Sequence, residues 1–228
     1  MNFVEQTILA RKTSKVLLPV ELRHEQRELW RDEHMATLRG MLESAALAPF
    51  HKRANAQHCE DDLNAPMPWR FHVVTPDSCS KLLAFLEEQA STHPDSKWTR
   101  AWQSKIKEMV SACGVLIQAT WLPEPSDVST TDHSLPAVDD LKNTEHLAAA
   151  ASAVQSLLVA ATSHEWLSYW SSGGILRDDE VMDYLGMNRR EKLLGSVFLS
   201  PQAHPAARIL EGGLRDQRGG LSGWVNWV

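Results

Sequence analysis

A chain of 228 residues with 43% hydrophobic and 23% charged residues is long enough for one large globular domain with a sizeable core. Its formal net charge of −6 argues against nucleic acid or an anionic membrane as the main partner, because phosphate groups require a basic surface. No apolar run reaches the roughly 18 residues that span a bilayer, and three widely spaced cysteines indicate neither a disulfide framework nor structural zinc. These features predict a single domain over residues 1–228, without a signal peptide, in a reducing cytoplasm.

In the first half of the chain, apolar residues recur mostly every three or four positions, which is the period of a packed helix. Pro49 ends the longer helical run, because proline lacks an amide hydrogen and forces the preceding residue out of helical geometry. The polar stretch that follows is rich in Asn, Asp and Pro, as is typical of a loop. In chain order we predict a helix over 4–12, a turn over 13–19, a helix over 20–48, a loop over 51–67 and a strand over 70–75.

In the second half, runs of Val, Leu, Ile and Thr indicate strands, and a broad alanine-rich stripe indicates the strongest helix of the chain. We predict Thr144 as the cap of that helix and Gly186 as the C-cap of a later short helix. The predicted elements are helices over 79–89 and 98–110, a strand over 114–121, a loop over 123–140, helices over 144–165 and 178–185, and a final strand over 193–199. Helices interleaved with strands predict an α+β or mixed three-layer fold.

A basic segment closes the first predicted helix. Arg11, Lys12 and Lys15 surround Thr13, and cations beside a hydroxyl can hold a phosphate or the electron-rich edge of a ring. Taken alone, the same residues also suit a solvated helix end, where cations interact favourably with the helix dipole.

Three further segments could contact a planar ligand, although each also has a plain structural interpretation. Prolines and aromatic residues at 48–51 and 68–71 could form a wall for a planar cofactor or simply pack in the core. Two glycines within 169–174 could let the backbone approach a ligand or form an ordinary turn. Arg208, with two later arginines, could reach a phosphate or remain on the surface.

A zinc site is a weaker alternative. His51, His58, Cys59 and Glu60 lie in one predicted loop and carry ligand atoms that zinc accepts. Their spacing matches no established zinc motif, so we predict no metal site. The nucleophile-elbow motif GxSxG is also missing from the sequence, and no catalytic triad is indicated.

Taken in order, these segments resemble the FMN-dependent nitroreductase family. The basic pair and hydroxyl at the end of the family's first helix are matched by Arg11-Lys12-Thr13, and Lys15 matches a further basic residue. The family's Ala-Pro segment is matched at 48–49, its Pro-Trp-Arg-Phe strand at 68–71, its alanine-rich helix with a glutamine at 146–162, its Trp-x-x-Gly turn at 170–173, its short helix with Leu-Gly at 181–186 and its closing strand at 195–201. The likeness covers nearly the whole chain.

The chain departs from the family pattern around the pocket. Phe50 and His51 stand where the family usually has serine and asparagine, and Met67 stands where it has glutamine. A long loop separates these positions, and Ser200 replaces the glycine that usually precedes the final proline. These departures leave the predicted fold intact and alter the predicted pocket.

The resemblance implies a nitroreductase-like three-layer α/β/α sandwich with a central, mostly antiparallel sheet, and a homodimer that binds FMN at the subunit seam. It implies that the cofactor carries the chemistry, so that no catalytic side chain is required. It also implies NADH or NADPH as co-substrate, a small electron acceptor (a nitroaromatic, quinone or enone) and a ping-pong mechanism. The implied cofactor-binding residues are Arg11, Lys12, Thr13, Lys15, Pro49, Phe50, His51, Trp170, Ser171, Ser172, Gly173, Gly174 and Arg208.

Two alternative functions are compatible with the same resemblance. A family member can direct flavin chemistry to dehalogenation, ring dehydrogenation or flavin breakdown, and the altered loop over 51–67 is where such a change would act. The chain could instead be a flavin-binding protein without turnover.

Overall fold

The structure is a computed structural model that describes residues 1–60, 63–124 and 141–228. The predicted loop over 123–140 therefore lies almost entirely outside the described residues, as do two residues of the loop over 51–67. The described helices are α1 (Phe3–Ala10), α2 (Arg23–Glu28), α3 (Asp32–Ala46), α4 (Pro76–Thr92), α5 (Lys97–Trp102), α6 (Ile106–Ala112), α7 (Leu141–Ser163) and α8 (Asp179–Tyr184). The described strands are β1 (Ser14–Leu17), β2 (Trp69–Val74), β3 (Val115–Trp121), β4 (Leu167–Ser171), β5 (Lys192–Ser200) and β6 (Arg208–Glu211).

Two antiparallel sheets organise the chain. The larger sheet has the strand order β2-β3-β5-β4, and its neighbouring strands all run antiparallel. The smaller sheet pairs β1 with β6, in a register that sets Ser14 opposite Glu211 and Leu17 opposite Arg208. The smaller sheet therefore joins the two ends of the chain, and β1 also contacts β4.

Helices cover both faces of the larger sheet, and alternate side chains of β3 pack against the helices on opposite faces. Val115, Ile117 and Ala119 point to one face, where they pack in a cluster with residues of α3 and α7. Leu116 points to the other face and packs with residues of α4 and α6. Because both faces are covered, β3 is buried along its whole length and its sequence is nearly continuously apolar. The predicted α/β/α sandwich around an antiparallel sheet is confirmed.

Two predicted helices are each divided in two. The second predicted helix breaks between α2 and α3, where Arg31 is extended (φ −125°, ψ 160°) and its amide donates to His34 Nδ1 at 3.0 Å. The fourth breaks between α5 and α6, where the Ile106 amide donates to Ser104 Oγ at 3.2 Å. Apolar periodicity continues across both breaks, so local polar contacts decide these boundaries.

Three short strands were not predicted. The sequence predicts a turn over 13–19 where β1 lies, and it gives no indication of β4 after the alanine-rich helix. It also takes the strand over 193–199 as the last one, whereas β6 follows it. These predictions were wrong because β1 and β6 have four residues each and β4 has five, too few for a clear period.

By length and composition, α7 is the one described helix that could cross a membrane. Its apolar side instead packs into the core, where Ala153, Val154 and Leu157 are fully buried beside the sheet. The core helix of a globular domain passes the same test, so length and composition alone carry little weight here. Thr144 lies inside α7 and does not cap it as predicted.

Candidate functional site

A cleft of about 680 Å³ opens between the smaller sheet and β4. The end of α1 and the start of β1 form one side, β4 forms another, and the chain at and after β6 closes the third. Its lining residues are Arg11, Lys12, Thr13, Lys15, Tyr169, Trp170, Leu210, Glu211, Gly212, Leu214 and Arg215. The basic segment and the aromatic pair Tyr169 and Trp170, which are distant in sequence, therefore face the same space.

Pairing of β1 with β6 brings the basic segment against the C-terminal part of the chain. The pairing extends beyond the strands, because the Gly212 amide donates to Thr13 O at 3.0 Å. A Cβ at Gly212 would lie 3.0 Å from Thr13 Cβ, so glycine permits this close approach. Arg215 then donates to Leu9 O at 2.9 Å and to Arg11 O, which ties the tail to the end of α1.

Cations outnumber carboxylates in the cleft, although the chain as a whole is acidic. Lys12 pairs with Glu211 at the exposed rim. Within the described residues, Arg11 and Lys15 have no carboxylate at ion-pairing distance. Lys15 Nζ instead lies 4.6 Å from the centre of the Tyr169 ring, a cation–π contact. Two cations without an anionic partner make the cleft suitable for an anionic ligand.

The edge strand β4 supplies aromatic side chains to the cleft. The Tyr169 ring stacks on Phe198 of β5, with ring centroids 6.0 Å apart. Trp170 crosses β5 at Gly195, where an added Cβ would lie 2.3 Å from the indole Nε1. No side chain fits at that position, so Gly195 allows the indole to lie directly on the sheet. Aromatic surface beside cations suits a planar ring that carries an anionic group.

The chain turns sharply after β4. Ser171 is buried, and its Oγ accepts the Gly173 amide hydrogen at 3.2 Å. Gly173 and Gly174 have positive φ values of 102° and 56°, which favour glycine. A Cβ on Gly173 would lie 2.9 Å from Leu193 Cδ2, so the turn lies directly on β5. Ser172 and Gly174 are exposed, but neither lines the cleft.

Eight of the thirteen predicted binding residues do not line the cleft. Four of them, residues 171–174, form the turn that follows Trp170, because the chain there folds onto β5. The other four, residues 49–51 and Arg208, lie in other surroundings. Residues 49–51 are exposed after α3, where the Phe50 ring meets Trp69 edge-on with centroids 5.6 Å apart. Arg208 faces Glu108, with 3.7 Å between Nη2 and Oε2. Within one chain, the structure therefore separates the wall predicted around Pro49 from the cations predicted to hold a phosphate.

Some lining residues could not be found from the sequence. Leu210 and Glu211 reach the cleft on β6, whose four residues are all exposed and show no apolar alternation. Arg215 reaches it because the tail folds back onto α1. The glycines on both sides of Arg215 are the available signal, since clustered glycine is typical of a chain reversal.

A second cavity, of about 420 Å³, lies beside β2 at the opposite edge of the larger sheet. Arg70 is 6% exposed there. Its guanidinium donates to the backbone carbonyls of His58, Leu63, Ala65, Met67 and Trp69. Burial lowers the pKa of Arg70, and the Glu191 carboxylate opposes that shift. His72 Nε2 and Thr120 Oγ1 each lie 2.6 Å from Glu191 Oε2, so both charged side chains have partners inside the protein.

The loop considered for zinc is arranged around Arg70. His58 Nε2 lies 2.8 Å from Pro123 O, and Cys59 Sγ lies 3.8 Å from Ala65 O. Across residues 1–60, 63–124 and 141–228, no group of three or more His, Cys, Asp or Glu side chains could hold a metal ion.

A family model described as the nitroreductase family matches residues 34–199, which is well over half of the chain. The chain belongs to the nitroreductase family. The matched range runs from α3 to β5, so the basic segment and β6 lie outside it. No curated protein matches the sequence significantly.

Several solved structures share the fold. A nitroreductase-like family protein from Bacillus cereus aligns with a TM-score of 0.63 at 13% identity, covering 100% of this chain and 97% of the other. A nitroreductase with bound FMN from Bacteroides fragilis gives 0.59 at 19% identity over 100% of both chains. A nitroreductase with bound FMN from Desulfitobacterium hafniense gives 0.54 at 16% identity over 100% and 99%. At these identities the likeness establishes the fold of this family member.

Proposed function

We propose that this member of the nitroreductase family is an FMN-dependent oxidoreductase that reduces small acceptors with NADH or NADPH. The observation that carries the proposal is the cleft beside β4, where Arg11 and Lys15 lie without carboxylate partners next to aromatic residues. FMN has the two matching parts, a flat ring system and a phosphate tail. The FMN bound to the relatives from Bacteroides fragilis and Desulfitobacterium hafniense supports the same choice.

The residues of the cleft fit FMN in charge, size and donor chemistry. A guanidinium such as that of Arg11 can hold a phosphate through two parallel N–H bonds, and an ammonium such as that of Lys15 adds a point charge. The volume of about 680 Å³ lies within the range of roughly 300–1,000 Å³ for small-ligand pockets. Just beyond the lining, Gly174 is exposed and has no side chain, so the backbone of this turn could approach a ring.

We assign the phosphate to Arg11 and Lys15, with Arg215 in the place predicted for Arg208. Lys12 and Thr13 would contact the polar edge of the ring, and Trp170 would line one face, with the turn over 171–174 beside it. Bound FMN supplies hydride acceptance from NAD(P)H and reduction of a nitroaromatic, quinone or enone acceptor. Because both substrates would use one site in turn, we expect ping-pong kinetics.

We propose a homodimer as the active unit. Phe3 is 70% exposed and Ile8 52% exposed on α1, and Trp227 in the tail is 85% exposed. Large exposed apolar side chains support the proposal, because a partner's surface can cover them. A second copy would cover them and could bring its exposed residues 49–51 to the cleft of the first, which would complete the wall that one chain lacks. Light scattering of the purified protein tests this stoichiometry.

We place the protein in the cytoplasm. Cys79 and Cys113 are free thiols whose Sγ atoms lie 3.9 Å apart. A reducing compartment keeps such a pair unbridged, whereas an oxidising one favours a disulfide.

The absorbance spectrum of the purified protein tests the cofactor. We expect a yellow protein, or an apoprotein that takes up one FMN per chain, and bleaching of the flavin band by NADH or NADPH without oxygen. A panel of nitroaromatics, quinones and enones should then give parallel double-reciprocal plots. Protein that neither carries nor takes up FMN would overturn the proposal. FMN binding without reduction by either nucleotide would instead indicate a flavin-binding protein without turnover.

A further inference from the structure

We propose that Arg177 is a positioning residue, which holds the turn over 172–174 against β5 and makes the surroundings of the flavin more positive. The inference rests on the proposed function, because that function assigns this turn to the flavin. Arg177 is the last residue of the 3₁₀ turn Gly174–Arg177, which continues directly from the turn over 172–174. It does not line the cleft, so its effect comes through the backbone groups that it bonds.

The Arg177 guanidinium bridges two backbone segments. Its Nε and Nη2 donate to Ser172 O at 3.2 and 2.7 Å. Its Nη1 donates to Leu193 O, and its Nη2 also reaches Leu194 O at 3.4 Å. One side chain therefore joins the residue after β4 to the start of β5. Because the guanidinium is planar and its five N–H donors point in fixed directions, these bonds restrict how the two segments can move relative to each other.

The bridge lies where β4 and β5 are no longer paired with each other, although β5 still pairs with β3. The ladder between β4 and β5 ends with Ser171 opposite Ser196. Beyond that pair the chain leaves strand geometry through Gly173 and Gly174, whose φ values are positive. Glycine loses the most backbone freedom on folding, so this turn is costly to hold in one conformation. Arg177 thus provides side-chain hydrogen bonds at the point where ladder hydrogen bonds stop.

Arg177 also brings an uncompensated charge to the turn. Among the described residues no carboxylate lies at ion-pairing distance from its guanidinium, and the adjacent Asp178 pairs with Lys97 at 2.7 Å. A fixed cation near a flavin favours the reduced, anionic form over the neutral oxidised form. Loss of this charge should therefore lower the midpoint potential of the bound flavin.

Three variants separate the two effects. R177M removes both the bridge and the charge, whereas R177K keeps the charge but lacks the planar fork. R189M is the matched control, because Arg189 is also exposed but donates to the Asp183 carboxylate rather than to backbone carbonyls. Each variant is measured by amide hydrogen exchange at 172–174 in the apoprotein, by FMN affinity from fluorescence quenching, and by the flavin midpoint potential.

We expect R177M to exchange faster at 172–174, to bind FMN about tenfold more weakly and to have a lower midpoint potential. R177K should recover most of the potential but not the slow exchange. R189M should match the wild type in all three measurements. Wild-type exchange and wild-type FMN affinity in R177M would overturn the inference.

Failure of this inference can be distinguished from failure of the proposed function. If the wild type binds no FMN, the proposed function is wrong and so is any role of Arg177 towards a flavin. If the wild type binds FMN and R177M behaves like it, the role of Arg177 alone is wrong. If R177M does not fold, R177K decides the question, and exchange as slow as in the wild type would then refute the bridge.

Discussion

The two edges of the larger sheet use arginine in opposite ways. Beside β2, the buried Arg70 donates to five backbone carbonyls. Beside β4, Arg11 is half-buried and, in the described part of the chain, has no carboxylate partner. A cation whose donors are satisfied inside the protein stabilises the fold, whereas one left without a partner attracts an anion. A cation that the fold leaves without a partner is therefore the better candidate for binding a ligand.

Arg23, like Arg70, is a buried arginine that donates to backbone carbonyls. It is 5% exposed and donates to Ser111 O at 3.1 Å, Cys113 O at 2.6 Å and Pro76 O at 2.5 Å. These bonds tie α2 to the end of α6 and the start of α4. Nothing in the sequence around Arg23 distinguishes it from a ligand-binding arginine.

Arg70→Met tests the β2 edge, where the arginine is bonded inside the protein, and should have the largest effect on stability. The variant leaves five carbonyls without their donor and Glu191 without its nearby cation, so we expect a loss of about 3–5 kcal/mol in the free energy of unfolding. Urea denaturation followed by circular dichroism measures this loss. Arg53→Met is the matched control, because Arg53 is exposed on the same loop and should change stability by no more than about 0.5 kcal/mol. Equal stability of the two variants would contradict the structural role of Arg70.

Arg11→Ala tests the β4 edge, where the arginine has no carboxylate partner among the described residues. We expect FMN affinity to fall about tenfold to a hundredfold, or roughly 1.5–3 kcal/mol, the usual contribution of hydrogen bonds to a charged group. The free energy of unfolding of the apoprotein should change by no more than about 0.5 kcal/mol. Fluorescence titration with FMN measures the affinity, with Arg100→Ala on α5 as the exposed control. Full flavin content in Arg11→Ala would count against the phosphate assignment.

Breaking the exposed ion pair between Arg189 and Asp183 should have the smallest effect on stability. The hydrogen bond that Arg189 donates to the Asp183 carboxylate holds the pKa of Asp183 below the ordinary aspartate value. Because the folded pKa is lowered, the stabilisation is present above the ordinary aspartate pKa of about 3.9 and is lost as the pH falls through the folded value. We expect Arg189→Gln to raise the Asp183 pKa in an NMR titration while stability at pH 7 barely changes. An unchanged Asp183 pKa would show that the pair does not persist in solution.

Elements with a sustained apolar period were predictable. The strands β2, β3 and β5 and the helices α4 and α7 lie close to their predicted ranges, because each buries several side chains. The helices α1 and α8 also lie close to their predicted ranges, although α1 buries only Thr7. Helix breaks such as the one at Arg31 depend on single polar contacts and were missed. The short strands β1, β4 and β6 were missed because each is stabilised by pairing with a strand elsewhere in the sequence.

The candidate site was predictable only in part. Residue chemistry was enough to select the basic segment and Trp170, and the structure brings both to one cleft, whereas residues 171–174 lie outside its lining. The part taken by β6 and Arg215 depends on pairing between the two ends of the chain, which no local pattern encodes.

By itself, the sequence determined which segments bury apolar side chains and which residues could bind an anion, because hydrophobic periodicity and side-chain chemistry are local properties. Only the tertiary structure decided which cations bond to groups of the protein itself and which have no carboxylate partner and can bind a ligand. That distinction depends on carbonyls and carboxylates contributed from far along the chain, as the contrast between Arg70 and Arg11 shows.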